Sequence, residues 1–126
     1  MTDLELMELA AKAAGIAVHR GRAWQSDILF REIPRPSSPL VANVEWNPLT
    51  DDGDAFRLAV KLALTVQAAC SDEYGRMYTR VDHWPNTGGQ AIVSVDEFGD
   101  DPCAATRRAI VRAAAEIGRQ IGDKNE

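Results

Sequence analysis

The sequence predicts an α+β fold: a layered α/β/α sandwich with three helices and a mainly antiparallel sheet of about four to five strands. Three observations carry this. Segments at the front, middle and end of the chain space apolar residues at helical period. Runs in the second half alternate apolar and polar between short turns. Three amphipathic helices and a strand meander can bury all their faces only by layering. The 126 residues fit one domain. It is assigned to 1–122, with 22–45 as a variable loop region and 123–126 as a flexible tail.

The first helix is "TDLELMELAAKAAG". Thr2 and Glu5 have capping-box spacing, so each can satisfy a free amide of the first turn. Leu6, Leu9, Ala10 and Ala13 share one side, with Glu5, Glu8 and Lys12 on the other. Gly15 stands where such a helix stops. "IAVHR" then reads as a strand, and "ILF" and "VANVEW" as weaker candidates. Between them "EIPRPSSPL" carries Pro34, Pro36 and Pro39 and reads as an exposed loop.

"WNPLTDDGDAFRLAVKL" opens the second helix. Phe56, Ala59, Val60 and Ala63 make its expected core stripe, with Leu58 and Leu62 at the margin. Thr50 or Asp51 caps it, and acids in the first turn oppose the positive end of the dipole. "LTVQAAC", "RMYTRVDHW" and "QAIVSVDEF" follow as a meander, with turns at "SDEYG" and "PNTGG". In the last helix Asp100 or Asp101 is the cap and Pro102 the first helical residue. Cys103, Thr106, Ile110, Ala114, Ile117 and Ile121 form its expected core arc. Arg108, Arg112 and Arg119 form another, and Gly122 is the expected stop.

Composition narrows the function classes. The net charge is −5, which disfavours bulk attraction to nucleic acid or anionic lipid. No segment approaches the roughly 18 apolar residues of a membrane helix, so no membrane partner is expected. The start "MTDLELME" holds three acids and no basic region, so the chain reads as cytoplasmic, in a bacterial host cell. Cys70 and Cys103 then default to reduced thiols.

The chemistry-bearing residues form no recognised centre. A calcium loop begun at Asp52 places Phe56 and Ala63 where oxygen ligands belong. The acids are therefore read as helix caps. His19, Cys70, His83 and Cys103 are too scattered for a zinc site. No nucleophile elbow or phosphate loop appears. Cys103 lies just inside a helix N-terminus, which lowers a thiol pKa when exposed, but its arc argues for burial. No catalytic residue, metal or cofactor is assigned. The candidate interaction surface comprises Trp46 and Trp84, each beside a proline turn, and the stripe of Arg108, Arg112 and Arg119. For the tryptophans, Trp24 included, a role as buried anchors is the competing reading. For the arginines it is a solvated helix face.

"LELMELAAKAAGI", "WNPLTDDGDAFRLAVKL" and "DDPCAATRRAIVRAAAEIG", in this order, resemble the phage ABA-sandwich domain family. The resemblance covers most of the chain and is thin over 22–45. It implies a sheet between two helical layers and an origin in a bacteriophage or prophage, and it carries no catalytic motif. The functional expectation is a non-catalytic accessory protein acting by contacts with an unknown protein of phage or bacterial host, with homo-oligomerisation left open. The alternatives are a nucleic-acid-binding module using the C-terminal helix, and a small enzyme with an acid–base set such as Asp82, His83 and Asp96.

Overall fold

The computed structural model describes residues 1–34, 41–85 and 91–124. The elements are α1 (Asp3–Ala14), β1 (Val18–Ala23), β2 (Ser26–Pro34), β3 (Val41–Glu45), α2 (Asp52–Lys61), β4 (Thr65–Ser71), β5 (Met77–His83), β6 (Ile92–Glu97) and α3 (Pro102–Lys124). The class is α+β with three helices, but the strands form two three-stranded antiparallel sheets, ordered β1-β2-β3 and β4-β5-β6. This corrects the single sheet of four to five strands held between two helical layers. α3 packs on β5 and β6, α1 packs along α3, and the first sheet meets α1 through β2 and through the Arg20–Glu8 ion pair of β1. On the second sheet Val81 and Ser94 face α3 and are buried, while Val93 and Val95 on the opposite face are about half exposed. Helices cover one face of this sheet, not two.

The two ends of α1 follow from local chemistry. The Thr2 hydroxyl accepts the Glu5 amide at 3.1 Å. Gly15 takes the left-handed conformation (φ 70°), and its N–H reaches the carbonyls of Ala11 and Lys12. The buried face is Met7, Ala10, Ala11 and Ala14, rotated from the expected one. The cause is α3, which presents small residues and approaches closely. A Cβ on Gly118 would lie 2.0 Å from the Leu9 carbonyl oxygen. Only glycine and alanine let two backbones come so near, so Leu6 and Leu9 are displaced to a half-buried flank.

The described residues of 22–45 are largely strand. β1 and β2 form a hairpin in which Ala23 opposes Ser26, and β3 adds to β2. Phe30 lies across Gly21, where a Cβ would come within 2.5 Å of its ring, and it stacks on His19 at 5.8 Å between centroids. Most of "EIPRPSSPL" and of the "PNTGG" turn, 35–40 and 86–90, lies outside the described residues.

α2 corrects a second expectation. Its buried residues are Asp54, Ala55, Leu58 and Ala59. Phe56 and Val60, expected in the core, are 68% and 63% exposed. Both stripes are apolar, and Leu58 took the core position, in one buried cluster with Trp46 and Ile110. In α3 the buried face is Ala105, Ala109, Ile110, Val111, Ala113, Ala114 and Ala115. Cys103, expected to be buried, is exposed. The helix runs past Gly122 to Lys124, so the stop read at Gly122 and the start of the tail at 123 both move. A lone glycine costs a helix only about 1 kcal/mol and does not have to end it.

Candidate functional site

The acids of "WNPLTDDGD" are structural. Asp51 caps α2, its carboxylate accepting the Asp54 amide at 2.8 Å. Asp54 is buried, accepts the Asn47 amide at 3.0 Å and pairs with Arg57 at 2.8 Å. The Asn47 side-chain oxygen accepts the Leu49 and Thr50 amides. Every acid inside the turn thus closes a backbone donor or a guanidinium, which locks the entry to the helix.

That locked entry orients the site. With Leu58 turned inward, Phe56, Val60 and Ala63 project along the other side of α2. There they meet Leu64, Val66, Ala68 and Ala69 of β4 and its approach, Phe98, and Pro102, Cys103, Thr106 and Ile110 of α3. The result is an open groove of about 800 Å³, lined almost entirely by carbon. Its polar end is one ion pair. The Arg107 guanidinium bonds to Asp52 at 2.6 Å and to the Leu49 carbonyl at 2.8 Å. Ala63 holds φ 53° in the groove wall, the left-handed residue that ends α2 and releases the chain into β4.

The residues singled out in the sequence do not converge. Trp46 is 1% exposed and sits in the core cluster, so it leaves the surface set. Trp84 is 66% exposed at the end of β5. Arg108 pairs with Asp3 at 3.4 Å, Arg112 with Asp96 at 3.0 Å, and Arg119 with Glu116. The stripe is thus a set of clasps joining α3 to α1, to β6 and to itself. Arg112 and Arg119 also border a smaller cavity of about 360 Å³ beside β6. It includes Ser94, whose hydroxyl is buried and has no hydrogen-bond partner among the described residues.

Several surface clasps shift the ionisation of their members. The hydrogen bond from Arg20 holds Glu8 below the ordinary glutamate value, and Arg119 does the same for Glu116. Two arginines shift the other way: Glu8 raises Arg20, and Asp82 raises Arg80. None of these groups borders the groove. Asp82 bonds to Arg80 at 2.9 Å. Neighbouring residues of a strand point to opposite faces, so Asp82 and His83 are separated by the sheet. Asp96 shares the face of His83 but lies four residues along from its register partner, Ile92, roughly 13 Å away. Asp82, His83 and Asp96 therefore form no acid–base cluster. Among the described residues no group of three His, Cys, Asp or Glu is placed to hold a metal ion, and no helix is long and apolar enough to cross a membrane.

Fold and groove together define a small α+β protein of two antiparallel sheets with an apolar cleft between two helices. Comparison with models of protein families, with curated proteins and with solved structures finds no match.

The groove escaped sequence reasoning because α2 is apolar on two adjacent stripes and only one was needed for the core. The signal was present: Ala55, Phe56, Leu58, Ala59, Val60, Leu62 and Ala63 wrap more of the helix than one buried face requires. Trp24, at the tip of the first hairpin, gave no comparable signal.

Proposed function

We propose that this is a non-catalytic accessory protein that works by protein contacts, and that the groove between α2 and α3 is where it makes them. One observation carries the reading. Phe56 and Val60 stand mostly exposed above a carbon-lined cleft, and a rimmed apolar patch of that kind marks an interaction site. Few polar groups are aimed into the cleft, which suits apolar side chains of a protein partner better than a polar metabolite. A phage or prophage origin, and with it a partner from phage or bacterial host, rests on the three sequence segments that resemble the ABA-sandwich family.

The test places a photo-crosslinking phenylalanine analogue at position 56. Irradiation in host or phage-infected lysate is expected to give one or two discrete protein adducts, lost when Val60→Asp is added. A smear of random adducts, or adducts indifferent to Val60→Asp, would show that the groove is not the contact surface.

A further inference from the structure

Trp24 is 98% exposed. It occupies, with Gln25, the two-residue turn between β1 and β2, and both residues have positive φ, 54° and 68°. That is the pattern of a type I′ turn, which favours Asn-Gly because it puts two residues in the left-handed region. Here a bulky aromatic and a glutamine hold it, a strained choice of the kind retained where the side chain has a use. The hairpin register brings the turn to a sharp end, with Ala23 opposite Ser26 and Arg22 opposite Asp27. The tip is therefore a bare indole knob. Arg22 behind it is three-quarters exposed and only loosely tied to Asp27, at 3.7 Å.

The groove has the complementary form. Its interior is apolar and large enough for an indole and its neighbours. Its α2 and α3 ends carry the opposite charge to Arg22: exposed Asp51 caps α2, and exposed Asp100 and Asp101 precede α3. Arg107, the cation in the lining, is already taken up by Asp52 and the Leu49 carbonyl. Knob and groove belong to different parts of the molecule. The first sheet packs through β2 on α1 and shares no extended interface with α2 or β4.

We propose that Trp24 of one copy seats in the α2–α3 groove of a second copy, with Arg22 facing the aspartates at the groove's ends. The proposal rests on the groove being a contact surface and names its occupant. The contact is head-to-tail: each molecule offers a knob at one place and a groove at another, so association continues into a ring or a filament. A single knob makes a small interface, so the association is weak and has to be read at high protein concentration.

The experiment is sedimentation velocity of the full chain from about 10 µM to about 1 mM, the range in which small interfaces associate. The mean mass of wild type is expected to rise with concentration. Trp24→Ala and Phe56→Asp each change an exposed side chain, and each alone is expected to remain monomeric with unchanged circular dichroism. Mixed in equal amounts they are expected to form a one-to-one dimer and nothing larger, because one retains the groove and the other the knob. Arg22→Glu is expected to weaken wild-type association about tenfold, and added salt to weaken it severalfold, as for partly exposed charges. A wild type that stays monomeric, or a Trp24→Ala protein that associates as wild type does, overturns the proposal. If either occurs while the position-56 crosslinker still gives discrete adducts, the groove reading stands and only its occupant is wrong. If the crosslinker also gives none, both fall.

Discussion

Gly118 gives the sharpest test of how this fold is held. In an exposed helix, Gly→Ala stabilises by about 1 kcal/mol through helix propensity. In α3 a Cβ at this position would stand 2.0 Å from the Leu9 carbonyl oxygen, 2.9 Å from its carbon and 3.4 Å from its Cα. Ordinary contact begins near 3.4 Å, so α1 would have to withdraw by more than an ångström. All three obstacles are backbone atoms, and no rotamer change relieves them. Overpacking a core costs about 1–3 kcal/mol, and a rigid backbone obstacle belongs at the upper end. The withdrawal also opens the Ala10–Ala11–Ala14 interface. After subtracting the propensity gain, Gly118→Ala is expected to be about 2 kcal/mol less stable than wild type. In urea this lowers the midpoint by roughly 1 M, given slopes of about 1–3 kcal/mol/M for small domains. Gly53→Ala is the control. It lies in the first turn of α2, and the nearest atoms to an added Cβ are side-chain ends at 3.1–3.2 Å: the Arg57 guanidinium, which can swing away, and the capping Asp51 carboxylate, which has to give by only a few tenths of an ångström. It is expected to stay within about 0.5 kcal/mol of wild type. A Gly118→Ala protein as stable as wild type, or more so, would mean that α1 and α3 are not in backbone contact there and that the helix pairing is misplaced.

The tryptophans and the surface clasps give two further predictions. Trp46→Ala removes a side chain buried in the common core and is expected to cost about 3–5 kcal/mol. Trp84→Ala, at an exposed position, should stay within about 0.5 kcal/mol; urea denaturation followed by circular dichroism compares them. Glu8 and Glu116 are both depressed in the folded state by hydrogen bonds from Arg20 and Arg119. A depressed carboxylate contributes stability above the unfolded glutamate pKa of about 4.3 and loses it as pH falls through the lower folded value. Wild type is therefore expected to exceed Glu8→Gln plus Glu116→Gln by a few tenths of a kcal/mol per site at pH 7, the screened worth of exposed pairs. The two proteins should converge once the pH has fallen below the folded value of both carboxyls. A difference that stays constant as both carboxyls are protonated would show that the clasps do not act through the charged carboxylates.

Local features were legible in the chain because they depend on neighbours in sequence. Thr2 and Asp51 cap their helices through amides three residues on. Gly15 ends α1 by its own backbone freedom, and the meander of β4, β5 and β6 follows from alternation and short turns. These fixed the class, the three helices and the structural role of the acids in "TDDGD". Much of what sequence left open was a choice between two apolar faces. Leu6–Leu9 or Met7–Ala11 in α1, and Phe56–Val60 or Ala55–Leu58 in α2, are equally apolar along the chain. Only packing against α3 decides which goes in. The β1–β2 hairpin was missed because its turn, Trp24–Gln25, lacks the glycine or asparagine that marks such turns.

The sequence by itself thus determined where helices begin, which acids are caps and that the protein is α+β. Tertiary structure alone decided that the strands divide into two sheets, that Trp46 is core and Trp24 is bare, and that Phe56 looks into a groove. The physical reason is range. Caps and turns are settled by hydrogen bonds within about four residues. Burial is settled by which surfaces fit, and the approach of α1 to α3 at Gly118 joins residues more than a hundred positions apart.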